Sequence, residues 1–366
     1  MKLPTLLELT PEQDAVTDIP FEGRHIVTGP PGSGKTVLAI YRAWMLATAG
    51  RRVILITHSN LLNQYCAHVA KRFSGKFHVT TFHRWLRSTW QENYDKPPPS
   101  AGTGEWSYDW IDMIRDCVRS RPAVEHLVID EGQDLPNGFY DLCSILEVGV
   151  TVFADEDQRI TEEQSTIAEI VKALDITHEF VPLQGNHRTT REIAILASHY
   201  AVDSRHRFLR EPERVGTKPR VVRWRSPQSF LDEMVRYIKS HPHLEIGVLC
   251  KTTQVQRVVE LHLAKNGLES SIQTYVADDT NRSSIDFTAR RVRIINVASM
   301  KGLEFDSVFV PDLDSYSDDP SGADVRMRFH VLCTRARSEL YFAYYGRKEP
   351  AIIADVPQSV LERHSN

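Results

Sequence analysis

The chain has 366 residues, of which 41% are hydrophobic and 25% are charged, and its formal net charge is −4 at pH 7. This balance excludes an intrinsically disordered chain, and no apolar run approaches the roughly 20 residues that a membrane-spanning helix needs. The slightly acidic balance also excludes a strong overall positive field, so any contact with nucleic acid must come from local patches.

The cysteine content bears on the compartment. Five cysteines are scattered along the chain without a C-x-x-C pair. This pattern argues against a zinc site and a disulfide framework, and it is typical of a reducing compartment. We therefore expect a cytoplasmic protein with no membrane partner.

The first predicted strand and helix enclose a glycine-rich segment. Residues 29–36 read Gly-Pro-Pro-Gly-Ser-Gly-Lys-Thr, between a strand-like run at 25–28 and a helix-like run at 37–49. Glycines let backbone N–H groups approach phosphate oxygens, and the helix directs its positive dipole end towards them. A plain glycine-proline turn, the alternative, does not need Lys-Thr at its end. The segment predicts a phosphate loop and a nucleoside triphosphatase.

Each residue of this loop is a predicted nucleotide contact. Lys35 is expected to bridge the β- and γ-phosphates, and Thr36 to hold Mg²⁺. The full set is Gly29, Pro30, Pro31, Gly32, Ser33, Gly34, Lys35 and Thr36.

The remaining elements follow a repeated α/β pattern. Apolar runs that alternate with helix-like stretches predict parallel sheets. Strands are expected at 53–57, 77–81, 126–129, 150–154, 180–183, 220–224, 246–249, 293–297, 308–311 and 340–344. We predict two α/β domains, residues 1–188, with a small insertion at about 90–121, and residues 189–366.

The predicted strand at 126–129 ends in two carboxylates. The segment reads His126-Leu-Val-Ile-Asp-Glu-Gly-Gln-Asp134. A strand that delivers Asp130 to its carboxyl end can place it beside the phosphate loop, where it would hold Mg²⁺ through water. Glu131 could then orient and deprotonate the attacking water. The alternative is a strand end with solvated acidic side chains.

The Asp-Glu-x-Gln-Asp pattern resembles motif II of superfamily 1 helicases of the UvrD/Rep type, and other segments resemble further motifs of this family in the same order. The resemblance implies two tandem RecA-like P-loop NTPase domains with an ATP cleft between them, in a short form without the large accessory domain. It also implies ATP and Mg²⁺ as cofactors and single-stranded DNA as a partner, with RNA as the alternative.

Leu9-Thr-Pro-Glu-Gln13 resembles the Q motif, whose glutamine contacts adenine. The same residues also predict a capping box, with Thr10 as N-cap, Pro11 at the first helical position and Gln13 at the third. The two roles are compatible.

Two segments resemble the motifs that contact the nucleic-acid backbone in the family. Ile54-Leu-Ile-Thr-His-Ser-Asn60 resembles motif Ia, and Thr81-Phe-His83 resembles motif Ib. Small hydroxyl and amide side chains suit phosphate contacts. The resemblance assigns nucleic-acid contacts to Thr57, Asn60, Thr81 and His83.

The later motifs supply further residues of the nucleotide site. Phe153-Ala-Asp-Glu-Asp-Gln158 resembles motif III, whose glutamine senses the γ-phosphate. Leu183-Gln-Gly-Asn-His-Arg188 resembles motif IV, and Val331-Leu-Cys-Thr-Arg-Ala336 resembles motif VI. Two arginines aimed at the γ-phosphate would neutralise charge that develops during phosphoryl transfer. By resemblance, the catalytic residues are Glu131, Gln158, Arg188 and Arg335.

Met300-Lys-Gly-Leu-Glu-Phe-Asp306 resembles motif V. In the family pattern Gly302 and Glu304 line the cleft between domains. His187 stands where motif IV usually has tyrosine and is expected to stack on the base.

The chain departs from the family where nucleic acid would bind. Gln158 is followed by Arg-Ile-Thr-Glu-Glu-Gln164, without the aromatic residue that usually stacks on a base, a contact of about 1 to 3 kcal/mol. Asn296-Val-Ala298 replaces a T-x-H that precedes motif V. About a hundred residues separate Arg188 from Asn296, too few for the accessory domain.

Two hypotheses therefore remain. The first is an ATP-driven helicase or translocase on single-stranded DNA or RNA. The second is an ATPase subunit that senses nucleotide or nucleic acid and regulates a partner such as a nuclease, in a bacterial defence or repair complex, with little unwinding by itself. The departures from the family favour the second hypothesis. A small-molecule kinase would have no need of a second lobe or of Arg335.

Overall fold

The computed structural model describes residues 5–58, 60–73, 76–102, 107–123, 126–155, 164–177, 181–202, 212–276, 290–300 and 302–366. The chain divides into two compact units, Lys2–Gln184 and Gly185–Asn366. The predicted domain limits of 1–188 and 189–366 stay a prediction, because a compact unit need not fold on its own.

The first unit is built on a six-stranded sheet. Its strands are β1 (Arg24–Thr28), β2 (Val53–Thr57), β3 (His78–Thr81), β4 (His126–Ile129), β5 (Gly149–Ala154) and β6 (Val181–Pro182). Its helices are α1 (Pro11–Asp14), α2 (Lys35–Thr48), α3 (Asn60–Ala70), α4 (Phe82–Tyr94), α5 (Trp110–Arg119), α6 (Asn137–Leu146) and α7 (Ile167–Ala173).

The strands of this sheet lie in the order β3-β2-β4-β5-β1-β6, and their pairs are parallel. β4 is buried along its whole length. A strand that is covered on both faces usually consists of consecutive apolar residues. In β4 these are the three residues that follow His126. Parallel pairing brings the carboxyl ends of all six strands to one edge.

The second unit contains a seven-stranded sheet. Its strands are β7 (Arg220–Arg223), β8 (Ile246–Cys250), β9 (Ile272–Tyr275), β10 (Val292–Asn296), β11 (Phe305–Val310), β12 (Ala336–Tyr344) and β13 (Glu362–Ser365). Its helices are α8 (Arg191–His199), α9 (Pro227–Ser240), α10 (Thr253–Leu263), α11 (Ala323–Cys333) and α12 (Ala351–Ala354). The order is β13-β7-β12-β11-β8-β10-β9, again with parallel pairs.

The predicted α/β fold class with parallel sheets is confirmed, because each of the two units contains one parallel sheet. Two strands were not predicted, and both lie at the ends of the second sheet. β13 consists of Glu-Arg-His-Ser and is half-buried to exposed, so it has no apolar alternation to detect. β9 is only four residues long and has two polar residues at its centre. Edge strands such as these tolerate polar sequences because one side faces solvent.

The segment predicted as an insertion packs against α4. Trp90 belongs to α4 itself, is fully buried, and donates a hydrogen bond to Asp116 of α5 at 3.1 Å. Lys96 forms an ion pair with the same carboxylate at 2.7 Å. The Tyr108 and Trp110 rings contact the ring of Phe82 at the start of α4. These contacts hold the segment against α4, the helix that follows the edge strand β3.

All five cysteines are buried and free of disulfides. None of the helices within the described ranges is long and apolar enough to cross a membrane.

Gly247 of β8 permits a close contact beside the predicted motif V. A Cβ at this position would lie 2.3 Å from the ring of Phe305, which follows Glu304 in the chain. We expect Gly247→Ala to lower the free energy of unfolding by about 1 to 3 kcal/mol, because the ring must shift. Urea denaturation measures this change.

Gly102→Ala is the control for this substitution. A Cβ at Gly102 meets its nearest atom at an ordinary 3.6 Å, so we expect a change within about 0.5 kcal/mol. Equal stability of the two variants would contradict the proposed contact.

Candidate functional site

The phosphate-loop segment lies between β1 and α2. Gly32 and Gly34 have φ angles of +86° and +93°, in the left-handed region that favours glycine. A Cβ on Gly29 would lie 2.7 Å from Cβ of Leu183, and one on Gly34 would lie 2.6 Å from Nε2 of Gln13. Glycine is therefore required by backbone angle and by space, as the sequence pattern predicted.

Lys35 is buried at the start of α2 and makes three contacts. Its Nζ donates to the backbone oxygens of Gly29 and Pro30 at 2.7 and 3.0 Å, and to Oδ2 of Asp155 at 3.0 Å. An ammonium group has three hydrogens, so all are used. Asp155 follows β5 and is 2% exposed, which makes this a buried ion pair.

Asp155 had no predicted role. Its position was nevertheless visible, because it follows a buried strand directly and β5 pairs with β1, the strand that leads into the loop. The sequence signal for Asp155 was an acidic residue that directly follows the apolar run at 150–154.

Gln13 forms the predicted capping box and also contacts the phosphate loop. Its Oε1 accepts from the backbone N–H of Thr10, and the Thr10 hydroxyl accepts from the backbone N–H of Gln13, which completes the capping box. Its Nε2 donates to the backbone oxygen of Ser33 at 2.9 Å. The side chain thus contacts the phosphate loop, while its contact with adenine stays a prediction.

Asp130 directly follows β4 and is 1% exposed. Neither carboxylate oxygen has a hydrogen-bond partner of good geometry, although the nearby Thr36 hydroxyl and Lys35 favour its charged form. Burial, and secondly the charge of Glu131, raises the pKa of Asp130 above its ordinary range. A buried acceptor without a partner is costly, so Asp130 is suited to a ligand.

These residues fit a magnesium–nucleotide group. Thr36 and Asp130 offer the oxygen ligands that Mg²⁺ prefers, and the Oγ of Ser33 is likewise buried without a partner. The described residues contain no group of three or more His, Cys, Asp or Glu side chains that could hold a metal. Mg²⁺ typically uses one or two protein ligands together with phosphates, so the two findings agree.

Glu131 has an unusual backbone conformation. Its φ is +56°, and the side chain is buried. Left-handed backbone at a residue other than glycine costs on the order of 1–3 kcal/mol and is concentrated at functional sites. The next residue, Gly132, has no space for a Cβ, which would lie 2.3 Å from Cγ1 of Val152. The tight turn after Asp130 restricts the backbone of Glu131, and this restricts where the Glu131 carboxylate can lie.

The four predicted nucleic-acid contacts lie near one another. Thr57 and Thr81 are the last residues of β2 and β3 and are directly paired across the two strands. Asn60 begins α3, and His83 lies in the first turn of α4. All four therefore lie at the carboxyl edge of the first sheet, the edge that also carries the phosphate loop.

His83 has a structural contact that the sequence did not predict. Its Nδ1 is hydrogen-bonded to the Tyr108 hydroxyl at 3.0 Å, and the two rings are stacked. Burial, followed by the charges of His58 and Arg87, lowers the pKa of His83 to about 4. The imidazole is thus neutral at pH 7 and anchors the segment that contains Tyr108. Its contact with nucleic acid stays a prediction.

In the second unit, Arg188 and Glu304 form an ion pair. Glu304 also faces Arg337, whose Nε lies 3.5 Å away, and Arg337 bonds Asp306 at 3.2 Å. No role was predicted for Arg337, because an arginine two residues after Arg335 carries no sequence signal of its own. The predicted residues Arg188 and Glu304 are therefore brought together.

Arg335 is fully buried within the same unit. Its guanidinium donates to the backbone oxygens of Val331 and Leu303 at 3.0 and 3.2 Å, and to the Thr334 hydroxyl at 3.0 Å. These bonds hold it against Leu303, which lies between the predicted residues Gly302 and Glu304. Its role as an arginine finger stays a prediction.

Three further residues were predicted to lie in the nucleotide site. Gly302 has a φ of +78°, which accounts for glycine there, and His187 is exposed. Gln158, the predicted γ-phosphate sensor, lies outside the described residues.

The Lys35–Asp155 pair predicts how nucleotide affinity responds to mutation. The Asp155 carboxylate offsets the positive charge of Lys35 and repels a bound triphosphate. We expect Asp155→Asn to bind ATP tighter by about tenfold. Titration calorimetry with ATP and Mg²⁺ measures the dissociation constant.

Asp116→Asn is the matched control, because Asp116 also pairs with a lysine and is buried in the same unit but lies in α5. We expect its ATP affinity to equal that of the wild type. Weaker or unchanged binding by Asp155→Asn would show that the carboxylate does not oppose phosphate binding.

A family model described as an AAA domain matches residues 12–164, which is less than half of the chain. No curated protein matches the sequence. The C-terminal domain of a possible DNA helicase from Lactobacillus plantarum WCFS1 is similar, with 18% identity, a TM-score of 0.36, and coverage of 49% of this chain and 99% of that one.

Two structures of Arterivirus nonstructural protein 10, a helicase, are also similar. The protein alone has 15% identity and a TM-score of 0.43 over 98% of this chain and 66% of that one. Its complex with DNA has 15% identity and a TM-score of 0.39 over 88% and 60%. This chain thus spans less than two thirds of the arterivirus proteins' length. The match to the AAA-domain model over residues 12–164 includes the phosphate-loop segment and the two carboxylates that follow β4.

Proposed function

We propose that the chain is an ATPase of the UvrD/Rep type that hydrolyses ATP and translocates on, or unwinds, nucleic acid, with single-stranded DNA as the preferred partner. One observation supports this most directly. Lys35 follows β1, and Asp130 and Glu131 follow β4, so the three residues lie at one edge of the parallel sheet. Both carboxylate oxygens of Asp130 are buried without a hydrogen-bond partner of good geometry.

The residues of the first unit have separate roles in hydrolysis. Backbone N–H groups of the phosphate loop and Lys35 bind the phosphates. Thr36 and Asp130 would hold Mg²⁺, which would neutralise phosphate charge when bound. Glu131 orients the attacking water and accepts its proton. Its fixed backbone favours a single direction of attack.

The nucleic-acid surface in this proposal is the edge defined by Thr57, Asn60, Thr81 and His83. The neutral His83 would contribute a hydrogen bond or a stacking face rather than a positive charge. Arg84 and Arg87 in α4 are exposed and supply local charge. Affinity that depends on a few arginines is sensitive to salt.

A second candidate is the ATPase subunit that regulates a partner protein such as a nuclease. It is favoured by the sequence after Gln158, which has acidic residues in place of the usual base-stacking aromatic. Both candidates use the same hydrolysis site.

ATP hydrolysis with and without single-stranded DNA, followed by strand displacement on a tailed duplex, separates the two. Unwinding by the isolated chain supports the helicase and excludes the purely regulatory subunit. Stimulated hydrolysis without unwinding supports the regulatory subunit. The absence of hydrolysis under all conditions would contradict both.

The role of Glu131 is tested by Glu131→Gln. We expect hydrolysis to fall by about 10² to 10⁴-fold, because the amide cannot accept the water's proton. ATP binding should persist, since the phosphate contacts remain. Steady-state kinetics and a nucleotide titration measure the two properties.

Glu147→Gln is the control, because Glu147 also has left-handed backbone, with a φ of +54°, but pairs with Arg121 on the surface. Its hydrolysis rate should match that of the wild type. An unchanged rate in Glu131→Gln would remove Glu131 as the base.

A further inference from the structure

Gln133 is fully buried between two acidic residues of the nucleotide site. Its Oε1 accepts from the backbone N–H of Asp155 at 2.9 Å, and its Nε2 donates to Oε2 of Glu131 at 2.6 Å. The backbone N–H can only donate and a carboxylate can only accept, so the orientation of the amide is determined by its partners. The Gln133 amide therefore joins Asp155 to Glu131.

The Gln133 amide is connected to Lys35 of the phosphate loop through Asp155. Lys35 bonds the Asp155 side chain at 3.0 Å, and Asp155 bonds Gln133 through its own backbone. A continuous chain of three hydrogen bonds thus runs from Lys35 to the carboxylate of Glu131. Each link in the chain is buried, where hydrogen bonds are stronger and more directional than in water.

The backbone of Gln133 is also held. Its carbonyl oxygen accepts from the backbone N–H of Ser165 at 3.1 Å, and the Ser165 hydroxyl donates to the oxygen of Leu135 at 2.7 Å. Nearby, Nε2 of Gln164 donates to Oδ1 of Asp134 at 2.7 Å. The turn that carries Glu131 is therefore attached to the chain after β5 by side-chain and backbone bonds.

We propose that Gln133 is a positioning residue for hydrolysis, which holds the carboxylate of Glu131 in a fixed relation to Lys35. The inference rests on the proposed function. Lys35 sets the position of the phosphates, and Glu131 sets the direction of the water. Gln133 is the group that connects the two, although it touches neither phosphate nor water.

The expected loss of kcat follows from how strongly the attack of water on the phosphate depends on the geometry of the reacting groups. A displacement of about 1 Å between reacting groups can cost about 10²-fold in rate. Without the amide donor, the Glu131 carboxylate loses the bond that fixes its rotamer. Phosphate binding depends on Lys35 and the loop backbone, so it should change little.

The first test is Gln133→Met, which approximates the side-chain volume and removes both hydrogen bonds. We expect kcat for ATP hydrolysis to fall about 10²-fold, while the dissociation constant for ATP stays within about threefold of the wild type. Steady-state kinetics, nucleotide titration and thermal unfolding are measured on the full chain.

Gln133→Glu is the second variant, for the case in which Gln133→Met unfolds. It keeps an acceptor for the backbone N–H of Asp155 but replaces the donor to Glu131 by a second carboxylate oxygen. The two carboxylates either repel each other or share a proton, and Glu131 is displaced or loses basicity in both cases. We expect the same loss of kcat.

Gln256→Met is the matched control. Gln256 is also fully buried, and its Nε2 donates to the backbone oxygens of Tyr275 and Ile294 in the second unit. We expect it to lose stability while the kcat per folded molecule is retained.

The outcomes separate this inference from the proposed function. Hydrolysis by the wild type together with an unchanged kcat in both Gln133 variants overturns the inference alone. So does a loss of kcat that only follows the loss of folded protein, as in Gln256→Met. The absence of hydrolysis by the wild type overturns the proposed function and, with it, the inference.

Discussion

All strands of the first sheet run in the same direction, and most features of the candidate site depend on this constraint. Parallel strands end at a common edge, and the residues that follow them are brought together without being near in sequence. The phosphate loop follows β1, the two carboxylates follow β4, and Asp155 follows β5. The edge is thus the candidate nucleotide site, because three strands end there in residues suited to bind phosphate and Mg²⁺.

Charge burial at this edge determines how the side chains are arranged. Lys35 and Asp155 are both almost completely buried, and a buried charge is tolerated only when it is paired. Asp130 is buried as well, yet its oxygens have no hydrogen-bond partner of good geometry. One acidic side chain is therefore compensated by a lysine, whereas the other is available to the proposed ligand. This division distinguishes the two aspartates, which look alike in the sequence.

The sequence predicted the parts of the fold and site that depend on local pattern. Apolar runs located the central strands, and the glycine-rich segment marked a turn in which Gly32 and Gly34 have left-handed backbone. Contacts between distant residues were missed, since no local pattern encodes them. Tyr108 on His83 and Arg337 on Glu304 each join residues more than 20 positions apart. Polar edge strands such as β13 were missed because partial burial leaves no apolar signal.

The two surfaces of the carboxyl edge differ in how strictly the fold constrains them. Around Glu131, Gly132 has no space for a Cβ, and Gln133 has its amide bonded on both sides. Around His83, by contrast, Arg84 and Arg87 are exposed. Under the proposed function, hydrolysis depends on the tightly packed surface around Glu131, and the surface around His83 is where the partner can differ. The helicase and the regulatory ATPase proposed above would share the chain of bonds from Lys35 to Glu131 and would differ in what contacts Thr57, Asn60, Thr81 and His83.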